Sequence, residues 1–424
     1  MPEKPKGKIL YLELYHKLFS ILIRERQILA IQADTLLPEQ AECQIGSLYV
    51  GRVQNIAANI GAAFVEIQKG VLTFLSLAEA KNAILTNRES DQTLKIGDEL
   101  LVQVTKKPVK TKLATVSARL SLAGSYVVIE HRNPGTDKGI SDSSLQGKGI
   151  KISSRLGARY HHLYQNLAPL QEIAQHFDVT VRTNVENIED TSIVTKEAQT
   201  LATKLTHILE IGRTRIRFSC LYESEPPYLA FLKNCYQSEY DEIITDKKDL
   251  YEQLTSGQLS PVPIRYYEDS RLPLYKLYSI ETRIQELLGK KVWLKSGAYL
   301  IIEQTEALIA IDVNTGKYES HKNQEETYFK INLEAAEAIA ISLRARNLSG
   351  MILVDFINMK TPDHTARLTE YMKSLLKKDS VSAYVVDITG LGLMEITRQK
   401  KNKSFAEQMR QGVDTASERK AEKP

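Results

Sequence analysis

Two apolar runs that each stop at an aspartate, with one long helical stretch between them, constrain this chain more than any other feature. Ala307-Leu308-Ile309-Ala310-Ile311 stops at Asp312, and Met351-Ile352-Leu353-Val354 stops at Asp355. Between them Leu333, Ala336, Ile339, Ala340 and Leu343 recur at helical spacing, with Asn332 placed as N-cap and Gly350 as the stop beyond the helix. Apolar strands joined by a helix are expected to lie parallel in one sheet. Their carboxyl ends then emerge at one edge, where Asp312 and Asp355 converge and where such sheets hold their ligands. Turn formation and capping are common uses of a strand-terminal aspartate. The shared edge, and an Asn314 able to orient the Asp312 carboxylate, favour a metal site instead. Two carboxylates with no nearby His or Cys suit magnesium with its waters and phosphate ligands, and disfavour zinc.

A chain of 424 residues is long enough for several packed units. From residue 46 to 121 short alternating runs are punctuated by glycine: Tyr49-Val50-Gly51-Arg52-Val53, Ala62-Ala63-Phe64-Val65-Glu66-Ile67 and Leu72-Thr73-Phe74-Leu75. A further strand, Glu99-Leu100-Leu101-Val102-Gln103-Val104, runs into Lys106, Lys107, Lys110 and Lys112. Short strands with Phe64, Phe74 and adjacent lysines are what a small OB-type barrel uses to stack bases and follow a phosphate backbone. Two core phenylalanines would look the same. The segment 131–139, followed by serine and glycine, reads as a loop dividing two units. Helical pattern returns around 160–176, and Phe177-Asp178-Val179-Thr180-Val181 is a strand presenting Arg182 and Thr183 at its end. That pair can offer a guanidinium fork and a hydroxyl to a phosphate, or be an ordinary surface pair. A helix follows over 196–211, and residues 215–269 alternate strand and helix without a chemical motif, as a scaffold does.

Charge narrows the class of partner. With 56 basic and 52 acidic residues the net charge is +4, so a nucleic-acid footprint must be local. A second basic run, from Arg398 through Lys403, reads as a solvated face. Cys43, Cys220 and Cys235 lack the even count and close spacing of a disulfide framework or zinc site, which fits a reducing cytoplasm. The apolar stretch Leu18 to Ile23 is short and meets Arg24, Glu25 and Arg26, so no secretory segment is expected, and no run is long enough to span a bilayer.

The run from Gln304 to Gly316, QTEALIAIDVNTG, resembles the active-site signature of the ribonuclease E/G family. Asn332-Leu333-Glu334-Ala335-Ala336, Val354-Asp355-Phe356-Ile357 and Gly392-Leu393-Met394-Glu395-Ile396-Thr397-Arg398-Gln399 resemble its later blocks, and the likeness extends from near residue 8 to about 400. The resemblance implies an α+β multidomain endoribonuclease. An OB-fold RNA-binding barrel (42–120) would be inserted in an RNase H-like scaffold (1–41 and 216–280). A 5′-phosphate sensor region (121–215) and a DNase I-like α/β catalytic domain (281–400) would follow, then a basic, disordered tail (401–424). Asp312 and Asp355 match the family's magnesium ligands, with manganese as a substitute, and Asn314 matches the asparagine that supports the first. Phe64, Phe74 and Lys112 fall on RNA-contacting positions, to which the lysine cluster adds Lys106 as a candidate, and Arg182, Thr183, Gly124 and Val128 fall on or beside the 5′-phosphate contacts. The implied substrate is single-stranded RNA, including rRNA precursors and mRNA. A non-catalytic RNA-binding protein of the same fold, or a DNA-directed nuclease, are the alternatives. Departures from the pattern are Asn358 for an aspartate, Ser382 for an arginine near the 5′ pocket, and Asp142 and Ser143 for basic residues. With no cysteine after Cys235, the family's zinc link is expected to be absent, so no zinc site is expected and the family's homo-oligomer loses the link that supports it.

Overall fold

The computed structural model describes residues 5–35, 43–80, 83–89, 93–108, 112–132, 149–153, 169–188, 190–256, 262–316 and 324–410. The chain forms two compact units, one from residues 1–37 and 234–424, the other from 38–233. Among the described residues no helix is long and apolar enough to cross a membrane.

In the first unit, a five-stranded sheet has the order Ile264–Tyr266, Tyr240–Thr245, Gly7–Leu14, Lys17–Arg24, Gln27–Thr35. Its N-terminal strands are joined by tight turns, and at the first of them Tyr15 and His16 both have positive φ, the conformation that a two-residue turn between twisted strands needs. Leu10, Leu12, Phe19 and Ile21 of this sheet share a core with Ala345 and Phe405.

The same unit holds a six-stranded sheet of order Lys291–Trp293, Tyr299–Gln304, Leu308–Asn314, Gly350–Asp355, Met394–Arg398, Ala383–Ile388. Leu308–Asn314 and Gly350–Asp355 are parallel, as the intervening helix requires, and the other neighbours are antiparallel. Alternation divides the faces. Leu300, Ile302, Ile309, Ile311, Val313, Ile352, Val354 and Ile396 pack with Phe329, Ala336, Ile339 and Leu343 of the helix Gln324–Ala345 and with Leu368 and Met372 of Pro362–Leu376. The intervening residues leave the opposite face open: Lys291, Trp293, Ala310, Asp312, Met351 and Asp355 are all exposed.

Several expectations change here. The helix begins at Gln324, so Asn332 is a buried mid-helix residue and not an N-cap. The strand carrying Asp312 continues through Asn314 instead of turning at the aspartate. Arg398 is not part of a solvated basic run: it is 2% exposed, bonds the Asp379 carboxylate through Nε at 2.7 Å and donates to Asn347 and Leu348. Residues 401–410 are not disordered, because the helix Phe405–Arg410 buries Phe405 completely, and the Gln408 side chain accepts the Ala33 N–H. Residues 411–424 lie outside the described residues.

In the second unit, Leu48–Ala57, Ala62–Gln68, Val71–Ser76, Ala114–Ser117 and Glu99–Lys106 form a five-stranded barrel, closed by pairing of the first strand with the last. Cys220–Tyr222 extends the first strand's edge. A four-stranded sheet, Ile150–Ile152, Phe177–Val181, Val127–His131, Ser121–Ala123, packs Val127, Ile129, Val179 and Val181 against Val194, Ala198 and Leu205 of the helix Ser192–Gly212. Strands on both sides of the 133–148 segment belong to this one sheet, so that segment does not divide two units. Segment 133–148, with Asp142 and Ser143, and most of the expected helix at 160–176 lie outside the described residues.

Candidate active site

Asp312 and Asp355 are directly opposite one another in the parallel pair. Cross-strand partners share a face, so both carboxylates rise from the open side of the sheet, on backbones about 5 Å apart. Both are exposed. Asn314, two residues on and hence on the same face, donates its Nδ2 to Asp312 Oδ2 at 2.6 Å, which orients that carboxylate. The strand ends because Gly316 takes a φ of +66° and lies against Gly297, where a Cβ would come within 2.5 Å of the carbonyl oxygen.

The helix Gln324–Ala345 braces this edge through three polar side chains. Asn332, fully buried, donates to the Ile357 carbonyl at 2.8 Å and accepts the Ile357 N–H at 3.0 Å, fixing the chain just beyond Asp355. Glu334 accepts the N–H groups of Lys295 and Ser296, in the turn before Tyr299. Glu325 accepts those of Lys360 and Thr361, which hold its carboxyl below the usual carboxylate range. The sequence reading missed Glu325, missed the bracing by Glu334, and gave Asn332 a different task. The available signal was a polar residue among apolar ones on a long helix, which does not say what it reaches.

As a cation site, the pair offers hard oxygen donors only. That suits magnesium, which needs one or two carboxylates and retains water on its other positions. Among the described residues no group of three or more His, Cys, Asp or Glu side chains is arranged to hold a metal.

In the barrel, Phe64 pairs with Phe74, Phe74 with Thr115, and Thr115 with Lys106, making one row across four strands. Both phenylalanines are half-buried and outside the barrel core of Val53, Val65, Ile67, Leu75, Val102 and Val116, so the core reading of these rings gives way. Lys106 and Lys112 are exposed, while Lys110 lies outside the described residues.

Arg182 and Thr183 follow the strand Phe177–Val181, as its pattern predicts. Arg182 donates a guanidinium N–H to the Gly124 carbonyl, and Thr183 Oγ1 lies 3.1 Å from Ser153 Oγ. The loop after Gly124 is wrapped around Glu197, whose carboxylate accepts N–H groups from Ser125 at 2.7 Å, Tyr126 at 2.7 Å and Val127 at 3.0 Å. A Cβ at residue 124 would meet Glu197 Cδ at 2.3 Å, so any side chain there would push the Glu197 carboxylate out of its present place. Val128 is in the adjacent strand, opposite Thr180. Arg182 and Gly124 are thus in direct contact, with Thr183 beside them and Val128 one strand away. The bracing by Glu197 was not legible from its place in an amphipathic helix.

Comparison with known proteins matches two consecutive parts of the chain. Residues 42–119 match the S1 RNA binding domain, and residues 121–401 match the ribonuclease E/G family. The chain is 30% identical to ribonuclease G of Escherichia coli (strain K12), over 85% of this chain and 74% of that protein. It is 28% identical to ribonuclease G of Haemophilus influenzae, over 92% and 80%. It is 27% identical to ribonuclease E of Synechocystis sp., over 91% of this chain and 57% of the other. By the extent of the family match and the shared identity, the chain belongs to the ribonuclease E/G family.

Proposed function

We propose that this protein is a metal-dependent endoribonuclease that cuts single-stranded RNA at the open edge carrying Asp312 and Asp355. The observation that carries the proposal is the register of the two aspartates on an exposed face, with Asn314 bonded to the first. When bound by Asp312 and Asp355, magnesium, or manganese in its place, supplies charge neutralisation at a phosphodiester and lowers the pKa of a coordinated water. Asn314 keeps the Asp312 carboxylate in one orientation. Phe64 and Phe74 offer rings for base stacking, and Lys106 and Lys112 offer charge to the backbone, without demanding a particular sequence. In this reading the Arg182, Thr183, Gly124 and Val128 region receives a 5′-monophosphate, the barrel is set within an RNase H-like scaffold, and the six-stranded sheet is a DNase I-like catalytic domain. Processing of rRNA precursors and decay of mRNA in the cytoplasm are the corresponding roles.

The test uses labelled single-stranded RNA with a 5′-monophosphate, in magnesium or in EDTA. Internal cleavage leaving 5′-phosphate and 3′-hydroxyl ends is expected with magnesium only. Asp312→Asn and Asp355→Asn should each lower turnover by several orders of magnitude while leaving RNA affinity within a few-fold. Cleavage by both variants at the wild-type rate would overturn the assignment. Binding without cleavage under every condition would identify a non-catalytic RNA-binding protein.

A further inference from the structure

The chain has a single tryptophan, and it is not in a core. Trp293 ends the short edge strand Lys291–Trp293 with 65% of its surface exposed. Its ring nevertheless has defined neighbours. Tyr299 meets it edge to face, with centroids 5.3 Å apart, and the Lys291 ammonium is 3.9 Å from the Trp293 centroid and 3.7 Å from that of Tyr299. The turn joining the two strands is fastened to the long helix by Glu334.

The register ties this group to the aspartates. Trp293 is opposite Tyr299, and Tyr299 is opposite Asn314. One row over, Lys291 is opposite Ile301, Ile301 opposite Asp312, and Asp312 opposite Asp355. The aromatic pair and the lysine therefore stand on the same open face as the two aspartates, with Trp293 two strands, or about 10 Å, from Asn314. An exposed indole steadied by a second ring and a cation suits a flat, π-faced ligand whose backbone is anionic. An apolar protein partner would gain little from the ammonium at the centre of the group, whereas a phosphate would pair with it.

We propose that Trp293, Tyr299 and Lys291 form a stacking subsite that seats a base of single-stranded RNA, with its phosphate on Lys291, beside the Asp312–Asp355 edge. The proposal rests on that edge being where RNA is cut, and its test is independent of turnover. Since Trp293 is the sole tryptophan, its emission reports this position alone. The full chain carrying Asp312→Asn, in EDTA, is titrated with a single-stranded RNA, reading tryptophan emission and, separately, the fluorescence anisotropy of labelled RNA. Saturable quenching is expected, with affinity lower by about ten-fold when Trp293→Ala is added and mostly recovered with Trp293→Phe. Quenching and the affinity loss are both required: unchanged emission at saturating RNA, or wild-type affinity in Trp293→Ala, overturns the subsite. Emission that changes with protein concentration and not with RNA also overturns it, and identifies a second copy of the chain as the occupant. If the wild-type protein proves unable to cut RNA while both required results appear, the cleavage reading fails and the subsite stands.

Discussion

At the scale of single residues, the site depends on side chains whose value lies in what they hold still. Asn332 is the clearest case. Both of its amide atoms bond the backbone of Ile357, two residues beyond Asp355, from a fully buried position. Asn332→Ala leaves a buried N–H and C=O without partners, which costs about 2–3 kcal/mol. The expected result is a lower urea midpoint with unchanged m, and a fall in kcat larger than any change in RNA affinity. Equal kcat with reduced stability would show that the clamp serves the fold alone. Gly316 makes a second case, because two constraints coincide there: a φ of +66° and a neighbouring carbonyl that leaves no room for a Cβ. Gly316→Ala should therefore lower stability by about 1–3 kcal/mol and reduce cleavage, with stability measured by thermal unfolding. The shared face of Asp312, Asp355 and Asn314 was legible in the sequence because two apolar strands joined by a helix bring their carboxyl ends to one edge. Asn332, Glu334 and Glu197 were not, because each acts on backbone far away in sequence, and a helix pattern reports only which side is apolar.

At the scale of elements, periodicity predicts strands well and helix starts poorly. The strand Leu308–Asn314, the strand Gly350–Asp355 and the helix between them follow their apolar spacing. The helix begins eight residues before Asn332 because Glu325 and Phe329 are engaged there, Glu325 by Lys360 and Thr361 and Phe329 by the core. Those are tertiary contacts that no local capping signal encodes. The barrel shows the same limit, since an acid–base pair that the strand pattern does not reveal ties the segment around Arg88 to the start of the strand Glu99–Lys106. Asp98 is 4% exposed and accepts the Arg88 guanidinium at 2.7 and 2.8 Å together with the Lys95 N–H at 2.7 Å. Burial pushes its carboxyl up, and the Arg88 bonds with the Lys95 N–H more than reverse this, so its pKa is lowered overall. A carboxyl whose folded pKa lies below its unfolded value stabilises fully above the unfolded value and loses that contribution as the pH falls through the folded one. Asp98→Asn should therefore cost about 3 kcal/mol at pH 7, and the gap between variant and wild type in urea unfolding should shrink as the pH drops below the carboxylate range. A gap that stays constant to low pH would mean that Asp98 is not charged in the fold.

At the scale of the whole molecule, the chain groups into two compact units, and within them strands distant in sequence share sheets and cores. Gly7–Leu14 pairs with Tyr240–Thr245, and Leu10 and Phe19 pack in one cluster with Ala345 and Phe405. Periodicity identifies a buried face without identifying what buries it. A consequence follows for the contiguous unit, residues 38–233, which holds the barrel and the sheet carrying Arg182, each with its own core. Expressed alone, it should fold cooperatively, bind single-stranded RNA and show no cleavage, since Asp312 and Asp355 belong to the other unit. Its binding should weaken as salt rises, and each phosphate contact that is removed should reduce the slope of log affinity against log salt by about 0.7. Lys106→Ala and Lys112→Ala are expected to do this singly, whereas Phe64→Ala and Phe74→Ala should lower affinity by about five- to ten-fold with the slope unchanged, because stacking releases no counterions. Filter binding between 50 and 200 mM salt separates the two. A slope that the lysine variants leave untouched would move the electrostatic contacts off this face of the barrel, and a slope that the phenylalanine variants alter would mean that the rings are positioning the backbone and not the bases.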